Sequence, residues 1–202
     1  MPEAYLQQSP LADLGLEGRA GDDRGEAGVT LAERPFRGIV TLRGKAGDKG
    51  FATAVEGALG FALPVKANTT TGKDDTTALW LGPDEWWIVT PGDGAQMAER
   101  LAEALQGQHG AVTDVSDSRT CLHVAGPKAR DLIAKGCPLD LHPRVFGPGQ
   151  CAQSLLGKAG VTLHQVSDEP AYDLYVLRSF AEYLWLWLED GAREYGLAVL
   201  RG

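Results

Sequence analysis

Several kinds of residue and pattern are scarce in this 202-residue chain, and each scarcity removes a class of function. There are three cysteines, Cys121, Cys137 and Cys151, too few and too isolated for a disulfide framework. Lys and Arg total 19 against 27 Asp and Glu, a net charge of −8, and the cations are scattered. Nucleic acid and anionic membrane surfaces need clustered positive charge, so neither is an expected partner. No apolar run approaches the roughly 20 residues that span a bilayer; Leu184 to Leu188 is the greasiest stretch and is far shorter. The opening MPEAYLQQSP has no basic region followed by an apolar core, so a cytoplasmic location is expected.

Catalytic fingerprints are missing as well. GKAGDKG lacks the GxxxxGK[ST] spacing of a phosphate loop, no GxGxxG follows a strand, and no GxSxG elbow occurs. Cys137, His142 and Cys151 could be drawn as a zinc site but lack the close cysteine pair of structural zinc. His123 and His164 each fall in a strand pattern and read as structural. Asp114 and Asp117 lie in an Asp/Ser-rich strand end, the composition of a solvated turn.

What is present is an ordered alternation of strands and helices. Residues 1–33 are set apart by Gly and acidic residues, and read as an arm that is extended or disordered unless bound. Its few apolar residues include Leu6, and Leu11, Leu14 and Leu16 would anchor it on a partner. From Phe36 onward FRGIVTLR is a strand, and Asp48 caps a helix through Gly57. KANTTTGKDDTT reads as a polar loop, and ALWLG with EWWIVT as a hairpin through Gly82-Pro83-Asp84. Asp93 caps a second helix and AVTDVS is a strand. The second half repeats the order. RTCLHVA is a strand, Pro127 to Lys135 a helix, and QCAQSLL, VTLHQVS and YDLYVLR are strands.

A last helix runs to about Glu194, with Ser179 and Glu182 spaced as a capping box. Seven large apolar or aromatic side chains fall among the nine residues from Phe180 to Leu188. Such a helix is buried against several elements, or it presents Trp185 or Trp187 to a partner. Adjacent Trp86 and Trp87 on one strand point to opposite faces, so one of them needs a cover beyond the core. GLAVL supplies a closing strand. The expected fold class is α+β: two fused ferredoxin-like (split βαβ) repeats with mainly antiparallel sheets, 34–116 and 117–202, forming one compact unit.

The runs KGCPLDLHP and FGPGQCAQ, with TLAERPFRGIVTLRG, ALWLGPDEWWIV and YDLYVLRSFAEYLWLWL, resemble the gamma subunit of bacterial heterotetrameric sarcosine oxidase. That family is related in fold to the folate-binding T-protein of the glycine cleavage system. The resemblance implies a non-catalytic subunit of an enzyme that demethylates sarcosine oxidatively to glycine and hydrogen peroxide. The one-carbon unit passes to tetrahydrofolate. It places FAD, FMN, NAD and tetrahydrofolate on the alpha and beta subunits and zinc on delta. This chain would pack against the folate-handling part of alpha, and no catalytic residue carries over to it. The alternative is a free-standing folate-binding or aminomethyltransferase-like protein, for which Asp114, Asp117 and Arg119 are the candidates to hold a pterin and a glutamate tail. A general β-rich interaction module is a third reading.

Overall fold

The structure is a computed structural model and describes residues 7–21 and 25–202. Part of the expected arm, Leu6 included, therefore lies outside the described residues. The chain forms two compact units. The central unit is Arg37–Asp117 with Gly149–Gln153; the terminal unit is Met1–Phe36, Ser118–Pro148 and Ser154–Gly202.

In the central unit the strands are β2 (Gly38–Gly44), β3 (Thr70–Lys73), β4 (Thr76–Gly82), β5 (Glu85–Thr90) and β6 (Gly110–Asp114). They order as β3-β4-β5-β2-β6, every pairing antiparallel. Between them run helices α2 (Lys49–Leu59) and α3 (Gly94–Ala104). Asp48 caps α2 by accepting from Gly50 N at 2.8 Å and Phe51 N at 3.2 Å. Asp93 caps α3 through Ala95 N at 2.8 Å. Phe51, Val55 and Leu59 of α2 and Met97 and Leu101 of α3 recur at helical spacing and close over Val40, Leu42, Trp86 and Ile88. β3 lies inside the stretch expected to be a polar loop: Thr-Thr-Gly-Lys at a sheet edge has no apolar alternation to reveal it.

The terminal unit is built on β1 (Val29–Arg34), β7 (Arg119–Ala125), β9 (Ala159–Ser167), β10 (Ala171–Leu177) and β11 (Leu197–Val199), with the last three residues of β8 (Gln150–Leu156). Their order is β11-β1-β7-β10-β9-β8. β11 joins β1 in parallel; the β1–β7, β7–β10 and β10–β9 pairings are antiparallel. Two longer helices accompany the sheet, α4 (Ala129–Ala134) and α5 (Arg178–Ala192), besides the single turn α1 (Leu16–Arg19). β10 is buried without interruption from Ala171 to Val176, the signature of a strand covered on both faces.

Three expectations change in this unit. Val29–Arg34 is a sheet strand and not part of an arm, because its partner β7 lies about 90 residues away and no local pattern announces it. The described arm residues are held by their own chain. Leu11 is 1% exposed, Ser9 Oγ donates to Glu33 Oε2 at 2.5 Å, and Arg178 Nη2 donates to the Gln8 carbonyl at 2.7 Å. Ser179 is not a cap: α5 leaves β10 directly, with Leu177 at the N-cap and no side-chain cap bond.

The run KGC has a packing reason. Gly136 and Gly157 lie back to back, with Gly157 N donating to the Gly136 carbonyl at 3.1 Å. A Cβ on Gly136 would stand 2.6 Å from the Trp187 ring, so the glycine lets the indole close over this turn.

Candidate functional site

Among the described residues, a row of titratable side chains runs across neighbouring strands of the terminal sheet. Register places Ala32 of β1 opposite His123 of β7, His123 opposite Asp173 of β10, and Asp173 opposite His164 of β9. Directly opposed residues share a face, so the two histidines flank the carboxylate. His123 Nδ1 lies 2.7 Å from Asp173 Oδ1; a carboxylate only accepts, so Nδ1 carries the proton. Arg34 reaches the same group along the diagonal, Nη1 donating to Oδ1 at 3.0 Å and Oδ2 at 3.2 Å.

Burial by itself pushes the Asp173 carboxyl up, but the His123 hydrogen bond and the charges of Arg34 and the two histidines outweigh it. The group is held below the usual carboxylate value. His164 is moved down by burial, with Asp173 opposing. Its neutral form therefore belongs to the fold. Stability that rests on neutral His164 is complete above its ordinary value of 6.5 and is lost as pH falls below it. His164→Asn is expected to flatten the fall in melting temperature between neutral and mildly acidic pH. Parallel melting curves for the two proteins across that range would contradict this. The row can hold charge and transmit strand register. Its carboxylate is already paired with His123 and Arg34.

Beside the row, the other face of β1 carries Glu33, which accepts from Thr120 Oγ1 at 2.7 Å and from Ser9. Glu33 lines a cleft of about 870 Å³ with Leu11, Leu16, Phe36 and the C-terminal Leu200–Gly202. None of the sequence-derived folate candidates lines it. Asp114 ends the exposed edge strand β6 and turns its Oδ1 onto its own loop, accepting from Ser116 N at 3.0 Å and Ser116 Oγ at 2.5 Å. Asp117 sits in a solvated 3₁₀ turn. Arg119 opens β7, with Nη1 donating to Ser118 Oγ at 2.6 Å.

The cysteines are spent on packing. Cys151 Sγ lies 3.4 Å from the Trp80 carbonyl, and burial pushes its thiol up to about 11. Cys137 faces Ser154, and His142 Nδ1 accepts from Arg144 N at 3.2 Å.

The expected tryptophan anchors divide. Trp86, Trp87 and Trp185 are buried, and Trp187 is half-buried over Gly136. Leu11 is buried, while Leu14 and Leu16 are partly so. α5 buries Ala181, Leu184, Trp185, Leu188 and Ala192 along one face. Its outer face carries Phe180, Tyr183 and Leu186, which follow Leu177 at intervals of three and are 40%, 37% and 48% exposed. The sequence hid this stripe because the apolar run is continuous. Bulk alone suggested the tryptophans, whereas the smaller residues between them are the ones left outside.

The fold is that of the aminomethyltransferase T class: the chain superposes on glycine cleavage system aminomethyltransferase T from Bartonella henselae with a TM-score of 0.71. The match covers 96% of this chain and 59% of that one at 15% identity, a likeness of fold alone. The family is narrower. The profile of the sarcosine oxidase, gamma subunit family matches residues 43–194, and the chain belongs to that family. The sarcosine oxidase subunit gamma of Corynebacterium sp. (strain P-1) is 36% identical over 191 residues, 94% of this chain and 92% of that protein. A chain of the heterotetrameric sarcosine oxidase from Corynebacterium sp. U-96 superposes with a TM-score of 0.84 at 34% identity, covering 94% of this chain and 96% of that one.

Proposed function

We propose that this chain is the non-catalytic gamma subunit of a heterotetrameric sarcosine oxidase. The observation that carries this reading is the end-to-end match to a chain of such an assembly, 94% of one and 96% of the other. In it the complex demethylates sarcosine oxidatively to glycine and hydrogen peroxide and hands the one-carbon unit to tetrahydrofolate. FAD, FMN, NAD, folate and zinc reside on the partner subunits, the complex is cytoplasmic, and this chain packs against the alpha subunit.

The same reading takes the two units as ferredoxin-like repeats. Strand order β4-β5-β2-β6 with α2 and α3 between the strands supports this for the central unit. In the terminal unit β9-β10-β7 supports it, with β1 standing where a fourth strand would and β11 added beyond.

The outer stripe of α5 supports an interface for the assembly. An apolar face of Phe180, Tyr183 and Leu186 is poorly suited to water, and aromatic and leucine side chains make contact area at the core of subunit interfaces. The test is co-expression with tagged alpha, beta and delta subunits. Wild-type chain is expected to co-elute. The Phe180→Glu/Leu186→Glu variant is expected to lose about tenfold in recovery, a change of about 1.4 kcal/mol in binding. Its melting temperature as an isolated chain should be unchanged. Full recovery of the variant would place the interface elsewhere, and a wild-type chain that never co-elutes would overturn the subunit reading.

A further inference from the structure

Among the described residues, three buried polar atoms of the terminal unit have no hydrogen-bond partner: Arg130 Nε, Gln165 Oε1 and Tyr172 Oη. Gln165 is 1% exposed and Tyr172 fully buried. These two residues oppose each other across β9 and β10, so their side chains share a face. Arg130 projects from the first turn of α4. Its guanidinium lies beside the Tyr172 hydroxyl: burial pushes that hydroxyl's pKa up, and the Arg130 charge and its approach to the oxygen work the other way. The approach falls short of hydrogen-bond geometry at both Tyr172 Oη and Arg130 Nε.

The donors and acceptors decide what such a place can take. Gln165 Nε2 donates to the Ser167 carbonyl at 3.0 Å. Turning the amide over would aim one carbonyl at another, so Oε1 is held as an acceptor. Arg130 Nε–H only donates, and Tyr172 Oη does both. An anion would be repelled by Gln165 Oε1, and a cation by the guanidinium. An apolar group would leave all three atoms unpaired, which is costly in a buried setting. A neutral molecule that accepts once and donates at least once satisfies the whole set.

We propose that Arg130, Gln165 and Tyr172 bind one ordered water, which ties helix α4 to strands β9 and β10. It accepts from Arg130 Nε–H, donates to Gln165 Oε1 and exchanges a hydrogen bond with Tyr172 Oη. Three bonds is the usual number for a buried structural water.

A high-resolution crystal structure of the full chain tests this directly. A density peak about 3 Å from all three atoms is expected, and it should be lost in Gln165→Met. Direct pairing of these side chains with no such peak would overturn the proposal. Melting temperatures give a second readout. Tyr172→Phe and Gln165→Met should each lower it by about 3 °C, and the double variant by less than the sum, because one water is lost once. Strict additivity would mean the two side chains share nothing.

Discussion

Asp173→Asn is expected to destabilise the terminal unit by about 3 kcal/mol, toward the lower end of the range for breaking a buried ion pair. The Asp173 side chain is 10% exposed, and it holds Arg34, whose side chain is 29% exposed, together with His123. Asparagine keeps the shape and removes the charge, so the guanidinium stays in place with its partner gone. The remaining exposure of Arg34 lets water relieve part of the penalty, which is why the lower end applies. Replacing both partners, Arg34→Met with Asp173→Leu, should cost far less, because a well-packed apolar pair avoids desolvating two ions. Denaturant midpoints for the three variants measure this. An Asp173→Asn loss below about 1 kcal/mol would mean the pair behaves as a solvated surface bridge.

Trp86→Ala should be at least as damaging to the central unit, about 3–5 kcal/mol. Trp86 is fully buried, its ring is tilted against Phe51 at 6.1 Å, and its Nε1 donates to the Pro64 carbonyl at 2.8 Å. Alanine removes the ring from a cluster closed by α2 and α3 and strands that carbonyl. Trp80→Phe, on the partly buried neighbour that packs against the same cluster, should cost much less. Thermal unfolding followed by circular dichroism separates the two variants. Equal losses would mean that the cluster does not depend on the buried ring.

The contrast between these residues shows what the sequence makes legible. The central unit's helices were readable because their signals are local: Asp48 and Asp93 stand at the caps, and Phe51, Val55 and Leu59 recur on one face. The hairpin of β4 and β5 was readable from its turn at Gly82-Pro83-Asp84. β3 and β1 were not, since one is a polar edge strand and the other acquires its meaning from β7, far along the chain. The Ser179–Glu182 spacing misled because the chain enters α5 straight from β10, so no loop precedes the helix to place a serine at its cap.

The charged row was hidden for a related reason. His123, His164 and Asp173 are spread over 51 positions, and only the register of β7, β10 and β9 sets them in line. Read singly, the two histidines are unremarkable strand residues; read in register, they frame a paired carboxylate. The membership of the chain in its family was legible from KGCPLDLHP and FGPGQCAQ. Part of the physical content of the first run is the Gly136 turn beneath Trp187. Its outward consequence, the stripe of Phe180, Tyr183 and Leu186, needed the structure.

The central claim is that this chain completes an assembly and performs no chemistry of its own. The most direct measurement is to express the alpha, beta and delta subunits with and without it, then compare size-exclusion profiles and peroxide released from sarcosine. The account predicts that omission lowers the yield or stability of the complex and its peroxide output together, and that adding the purified chain restores both. A complex that assembles, persists and turns over sarcosine equally well without this chain would contradict it.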